Sequence, residues 1–241
     1  MIRGLRWIAL LVLAAGCARE STPPESAVTV PDFSGVYAPA PFVARPELSL
    51  PDQVPFTDAA RQVFDAFDPL VGNPRLEDDC VRETMPAVLW LGAPMEITQS
   101  DDRVVLRFER GGVVRSIPFD QSLPVEGIEP NELGVSVARW ESDVLTIETT
   151  GLLGGEVITN QGFGLSPQAR LTERYWREPG EMDLQLEVSI DDPTNYTELF
   201  TIGREWVWAP DEQVQDWECI DLGSREADID IDELARQLEQ L

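Results

Sequence analysis

From residue 103 to 208 apolar residues recur at every second position, segment after segment, and this period of two constrains the fold more than any other feature of the chain. In DLQLEVSI, Leu184, Leu186, Val188 and Ile190 share one face while Gln185, Glu187 and Ser189 share the other. RVVLRFE sets Val104, Leu106 and Phe108 against Arg103, Val105 and Arg107, and VVRSIPF follows the turn ERGG. GVSVARW and VLTIETT bracket ESD, which fits a three- or four-residue hairpin loop, with Leu145 and Ile147 facing the core and Val144, Thr146 and Glu148 facing away. ARLTERYWR and DLQLEVSI are joined by REPGE, whose Pro179-Gly180 is a turn signal, and TELFTIGREWVWAP is the last strong strand. About eight strands joined mostly by short turns predict a mainly β chain, its antiparallel sheet bent into a barrel or folded as a sandwich.

Two helices interrupt this pattern. TDAARQVFDAFDP reads as a short one on the N-terminal side, with Thr57 as cap, an apolar stripe of Ala59, Ala60, Val63, Phe64 and Phe67, and Pro69 as stop. ADIDIDELARQLEQL reads as an acidic C-terminal helix with Ile231, Leu234, Leu238 and Leu241 on one stripe and capping-box spacing between Asp230 and Glu233. A calcium loop competes there, because Asp228, Asp230, Asp232 and Glu239 have EF-hand spacing, but Glu233 stands where that loop needs Gly. No metal site is expected. Proline-rich PDFSGVYAP to PFVARPELSLPDQVPF is expected to lie extended over the surface.

The 241 residues, 43% of them hydrophobic, suffice for one sizeable core, so a single β-rich domain is expected over 32–222. Every basic residue is Arg, for the sequence has neither Lys nor His. That removes Ser-His-Asp and Cys-His relays, imidazole metal ligands, Schiff-base lysines and the P-loop cation. Acid-base work falls to carboxylates or Tyr, and no cofactor is implied. A net charge of -26 repels phosphate backbones, which excludes nucleic acid as a partner.

At the start, MIRGLRWIALLVLAAGC has Arg3 and Arg6, an apolar run from Trp7 to Ala15 and then small residues up to Cys17. This is a signal peptide over 1–16, too short to span a bilayer. LAAGC resembles the lipobox of bacterial lipoproteins, with Ala14 where Leu is more usual, and implies diacylation of Cys17; an ordinary secretory signal cleaved near Ala15 is the alternative. By the same resemblance, Ala18 after the Cys implies the outer membrane, with the chain facing the periplasm and a tether over 17–31 between lipid and domain. An acidic helix or tail over 223–241 completes the organisation. In an oxidising compartment the remaining pair, Cys80 and Cys219, is expected to form one disulfide, closing a loop worth roughly 4 to 5 kcal/mol in the chain-entropy model; two free buried thiols are the alternative.

The order of PDFSGVY, DAFDPLVGNP with a following Cys, MP, PMEITQ, VRSI, SVARWESDVLTIETTG, LTERYWR, SIDDPTNYT and a late EC resembles a family of uncharacterised secreted bacterial proteins over residues 32 to 220. That family usually has Gly where Ser142 stands and often His where Val135 stands, so a His-dependent activity is not implied here. Trp-Glu-Gly-Asp hairpins similar to WESDVLTIETTG also occur in fatty-acid-binding and lipocalin-like barrels, and Gly35-Val36-Tyr37 resembles their opening strand. The resemblance implies a lipocalin-like barrel.

The strands carry charges in unexpected register. Arg115 shares a face with Val113 and Ile117, and Glu173 shares one with Leu171 and Tyr175. An inward Arg requires a partner, which Glu173 or Glu148 can supply. One reading has Arg115, Glu173 and Tyr175, with Trp140 and Tyr196, lining the mouth of a cavity and orienting a small apolar or amphipathic ligand. The other has an ion pair that closes the barrel, in an envelope structural or interaction module that meets an envelope protein and takes no ligand. A carboxylate-dependent hydrolase using Glu141 and Glu173 is the third reading. Alkylation of the native protein tests the disulfide: Cys80 and Cys219 should resist until reductant is added and appear in one cross-linked tryptic pair, whereas two independently alkylated thiols would contradict the pairing.

Overall fold

The computed structural model describes residues 30–40, 54–68, 83–90, 92–119, 122–123, 127, 129–155 and 162–219. Nine strands form a single sheet: β1 (Gly35–Pro39), β2 (Met95–Gln99), β3 (Arg103–Phe108), β4 (Val114–Pro118), β5 (Val135–Glu141), β6 (Val144–Thr150), β7 (Arg170–Trp176), β8 (Leu184–Asp191) and β9 (Phe200–Trp208). One helix, α1 (Asp58–Ala66), lies between β1 and β2. The sheet order β4-β3-β2-β1-β9-β8-β7-β6-β5 follows the chain around a ring, because β1 pairs with both β2 and β9. This is a nearly closed, lipocalin-like antiparallel barrel.

Parity fixes the direction of the two strands at the ends of the sheet order. Each of the eight pairings is antiparallel, so stepping from β4 to β5 reverses direction an even number of times and leaves those two strands parallel. Parallel neighbours need a long crossover, which 119–134 supplies, and pair slightly less stably. Only a single parallel bridge, Phe119 with Ala138, joins them among the described residues. The barrel therefore has a seam.

Alternation puts the expected residues inside: Val104, Leu106, Leu145, Ile147, Leu171, Leu184, Leu186 and Val188 are all essentially inaccessible. Outward positions carry Arg139, Glu148, Arg174 and Glu187. Apolar inside and charged outside is the reverse of a lipid-facing barrel. Among the described residues no helix is long and apolar enough to cross a membrane.

Two expectations change. Of the proline-rich segment, residues 41–53 lie outside the described residues, and residues 35–39 form a central strand with Tyr37 wholly buried and not a surface run. Pro39 is tolerated because it ends the strand, and Ala40 N then bonds Glu205 O at 3.1 Å. The WESD hairpin has a two-residue loop, Ser142-Asp143, since Glu141 pairs directly with Val144. Thr57 caps α1 as expected, its Oγ1 accepting from Ala60 N at 3.3 Å. Beyond β9 the chain runs back over the outside, where Arg107 holds Val214 O at 2.9 Å and Asp216 at 2.8 Å. Cys219 ends this strap in a disulfide, while Cys17 and Cys80 lie outside the described residues. The signal peptide, most of the tether and the C-terminal acidic segment with its calcium alternative are outside them too.

Among the described residues, Ser142 is the one non-glycine residue with a positive φ, 60°, at the first central position of the loop, as a type II′ turn demands. Ser142→Gly should therefore stabilise the protein by about 0.5–1 kcal/mol, read as a higher urea midpoint at unchanged slope. A lower midpoint would mean that the hydroxyl matters more than the backbone.

Candidate functional site

The charged residues singled out in the strands meet inside the barrel. Arg115 projects inward from β4 and Glu173 from β7, and the guanidinium grips the carboxylate with both ends, Nη1 to Oε2 at 2.8 Å and Nη2 to Oε1 at 2.6 Å. Tyr175, two residues along the same face, donates its hydroxyl to Oε2 at 2.8 Å. Nη2 also reaches Ser136 Oγ on β5 at 3.1 Å and Thr149 Oγ1 on β6 at 3.3 Å, and these two hydroxyls are 2.8 Å apart. One side chain of β4 thus holds the three strands beyond the seam. The ion pair is almost completely withdrawn from solvent, at 2% and 0% exposure for the two side chains.

Its electrostatics favour permanence. Burial alone would lower the Arg115 pKa, but the Glu173 charge and hydrogen bonds outweigh it and leave the guanidinium more basic than usual. Burial, reinforced by the Glu173 charge, pushes the Tyr175 phenol well above its ordinary range. Arg115 Nε is the one atom of the cluster that is buried without a hydrogen-bond partner. Neither Arg115 nor Glu173 is at a mouth open to solvent. Apart from Arg115 Nε, the group is a structural network whose donors and acceptors are spent on one another.

The other candidates lie apart from it. Trp140 faces inward from β5 and meets Phe33 edge-on at 5.1 Å. Tyr196 belongs with α1, donating to Gly164 O at 2.8 Å and lying against Phe56 and Phe200. Glu148 faces outward and pairs with Arg139 at 3.0 Å, leaving Glu173 as the partner of Arg115. Glu141 is outward and exposed, bound to Arg139 at 2.8 Å, so Glu141 and Glu173 are on opposite faces of the sheet and cannot flank one substrate. That separation removes the carboxylate pair of the hydrolase reading.

A cavity of about 370 Å³ opens at the α1 end of the barrel. Phe56, Ala59, Ala60 and Val63 form one wall; Leu165, Ser166 and Pro167, with glycines 155, 162 and 164, form the other; Thr194 and Asn195 complete it. Thr57 ties the walls together, its N donating to Asn195 O at 2.8 Å and its Oγ1 to Thr194 O at 3.2 Å. Opposite, Asp192 is buried and fixes Ser166 by accepting from its N and its Oγ, each at 2.7 Å. Tyr196, against Phe56, supports this cavity without lining it.

Sequence reasoning missed Ser136 and Thr149, although both fall on inward positions of a recognised hairpin, where a polar residue signals a network. It missed the cavity for a better reason: three segments far apart in sequence build it, and none carries a motif. Among the described residues no group of His, Cys, Asp and Glu could hold a metal ion. No protein-family model matches the chain, and no curated protein matches it in sequence.

Two experiments follow from this geometry. Glu173→Ala should cost about 3–5 kcal/mol in urea unfolding by stranding a buried cation, whereas the double change Arg115→Met with Glu173→Leu should recover most of that loss. Equal losses in both would show that shape, not charge, holds the seam. The chain's three tyrosines, Tyr37, Tyr175 and Tyr196, all have phenols raised chiefly by burial. Their stabilising contribution is complete below pH ~10 and is lost as pH climbs above it. Arg204, lowered by burial to about 10, opposes them, but as one group against three. Ultraviolet titration should show phenolate emerging together with unfolding; phenolate in the folded protein would contradict this.

Proposed function

We propose that the protein is a cell-envelope lipoprotein, held to the outer membrane through lipid on Cys17 and facing the periplasm, whose barrel binds a small apolar or amphipathic molecule. The ligand site is the cavity under α1. The observation that carries this reading is its form: about 370 Å³ of space with mainly apolar walls and a few polar groups at one side. Small-molecule sites commonly have roughly 300–1,000 Å³ and this mixture of linings. A cap made of one short helix, with no fully buried residue of its own, suits entry and exit. The lipobox resemblance supports the anchor, and the likeness to secreted bacterial proteins with a WEGD-type hairpin supports the address.

The competing reading, a module that meets another envelope protein and takes no ligand, draws support from the Arg115 network, since the interior group with most binding chemistry is already satisfied. Native mass spectrometry of the full-length chain taken from its membrane decides between them. A co-purified molecule that is lost in Ala60→Trp, where the indole fills the cavity, supports the ligand site. An equally occupied Ala60→Trp protein would move the ligand elsewhere, and an empty wild-type protein that retains an envelope partner would favour the module.

A further inference from the structure

Among the described residues, none that lines the cavity has an ionisable side chain, and Arg61, whose guanidinium lies over the ring of Phe56 at 4.5 Å, is paired with Asp65 at 3.5 Å. Asp192, which holds the lining Ser166 from behind, is saturated: besides Ser166 it accepts from Thr194 N at 3.2 Å, and it is 1% exposed. Ser166 Oγ is committed as well, donating to Asp192 and accepting from Gln168 N at 3.1 Å. Thr57 occupies the carbonyls of Thr194 and Asn195, and Asn195 N donates to Asp192 O at 3.1 Å. The Asn195 carboxamide is different. It is half-buried, lines the cavity and makes no hydrogen bond among the described residues.

A carboxamide places an N–H donor and a carbonyl acceptor side by side, and a ligand with the complementary pair can satisfy both at once. A charged head would lose its hydration in this space, and the cation over its Phe56 wall, Arg61, already has Asp65 as its partner. An anion would also approach against a net charge of -26. Resting on the ligand-binding reading above, we propose that Asn195 determines specificity, and that the cavity takes an uncharged amide, a carboxamide or lactam, whose apolar body lies on Phe56, Ala60 and Val63.

Four probes of one size separate this idea from the reading beneath it: phenylacetamide, phenylacetate, 2-phenylethylamine and ethylbenzene, titrated calorimetrically into the full-length chain in detergent. The amide should bind about tenfold tighter than the other three, the increment of one well-made hydrogen bond in a desolvated site. Asn195→Ala should bring the amide down to the level of ethylbenzene, whose own affinity stays unchanged. The near-isosteric Asn195→Asp should reverse the order and favour the amine. If wild type binds ethylbenzene but does not prefer the amide, or if Asn195→Ala keeps the preference, the amide assignment is overturned and the cavity remains a binding site. If none of the four binds, the ligand reading itself falls, and the assignment with it.

Discussion

The barrel is arranged around the meeting of β4 and β5, which its strand count makes parallel. With nine strands in alternating directions the last two neighbours run parallel, and backbone pairing nearly stops between them. The two-pronged grip of Arg115 on Glu173 crosses that break with side chains in place of main-chain bonds. Such a buried pair is a poor source of net stability, because removing both charges from water costs about as much as their attraction returns. Its value is directional. A guanidinium that must find one carboxylate and two hydroxyls, on three different strands, tolerates far fewer registers than a row of leucines would.

The two ends of the barrel are finished differently. At one, Phe33, Tyr37, Trp140 and Trp208 gather around Arg177, which lies over three of these rings and donates to Asp32 O at 3.0 Å and to the Tyr37 hydroxyl. At the other, α1 sets its Phe64 against Phe56 and Phe163, with Tyr196 beside Phe56, over the cavity, and none of its own residues is fully buried. Between them Arg204 donates to Leu89 O at 3.0 Å, drawing the 3-10 turn Ala87–Trp90 against the inner face of β9. The cavity lies at the α1 end.

Most of the wall could be read from the chain, since period-two alternation needs no partner to be recognised: β7 and β8 pair as their patterns require, and Leu145 and Ile147 point inward beside an outward Glu148. The Arg115–Glu173 pair was legible for the same reason, as an exception to that alternation. β1 was legible only through the likeness of Gly35-Val36-Tyr37 to a barrel's opening strand, because the prolines around it disguise a short strand whose stability comes from β2 and β9, more than fifty residues away. The seam followed from a count that sequence leaves uncertain, for one strand more or less reverses the parity. The cavity was illegible because Ala60, Ser166 and Asn195 acquire meaning only as neighbours.

The pairing of β1 with β9 has a consequence in time. Tyr37 must find Trp208, so the ring cannot be completed until almost the whole domain has left the machinery that makes or moves it. Loop closure of that length makes folding slow relative to helical domains. Until then β1 and β9 are open edges of the kind that join chains to one another. Pro39 blunts the first edge, and the acidity of the whole chain keeps unfinished copies apart. The negative charge of the chain thus guards the interval before the barrel exists.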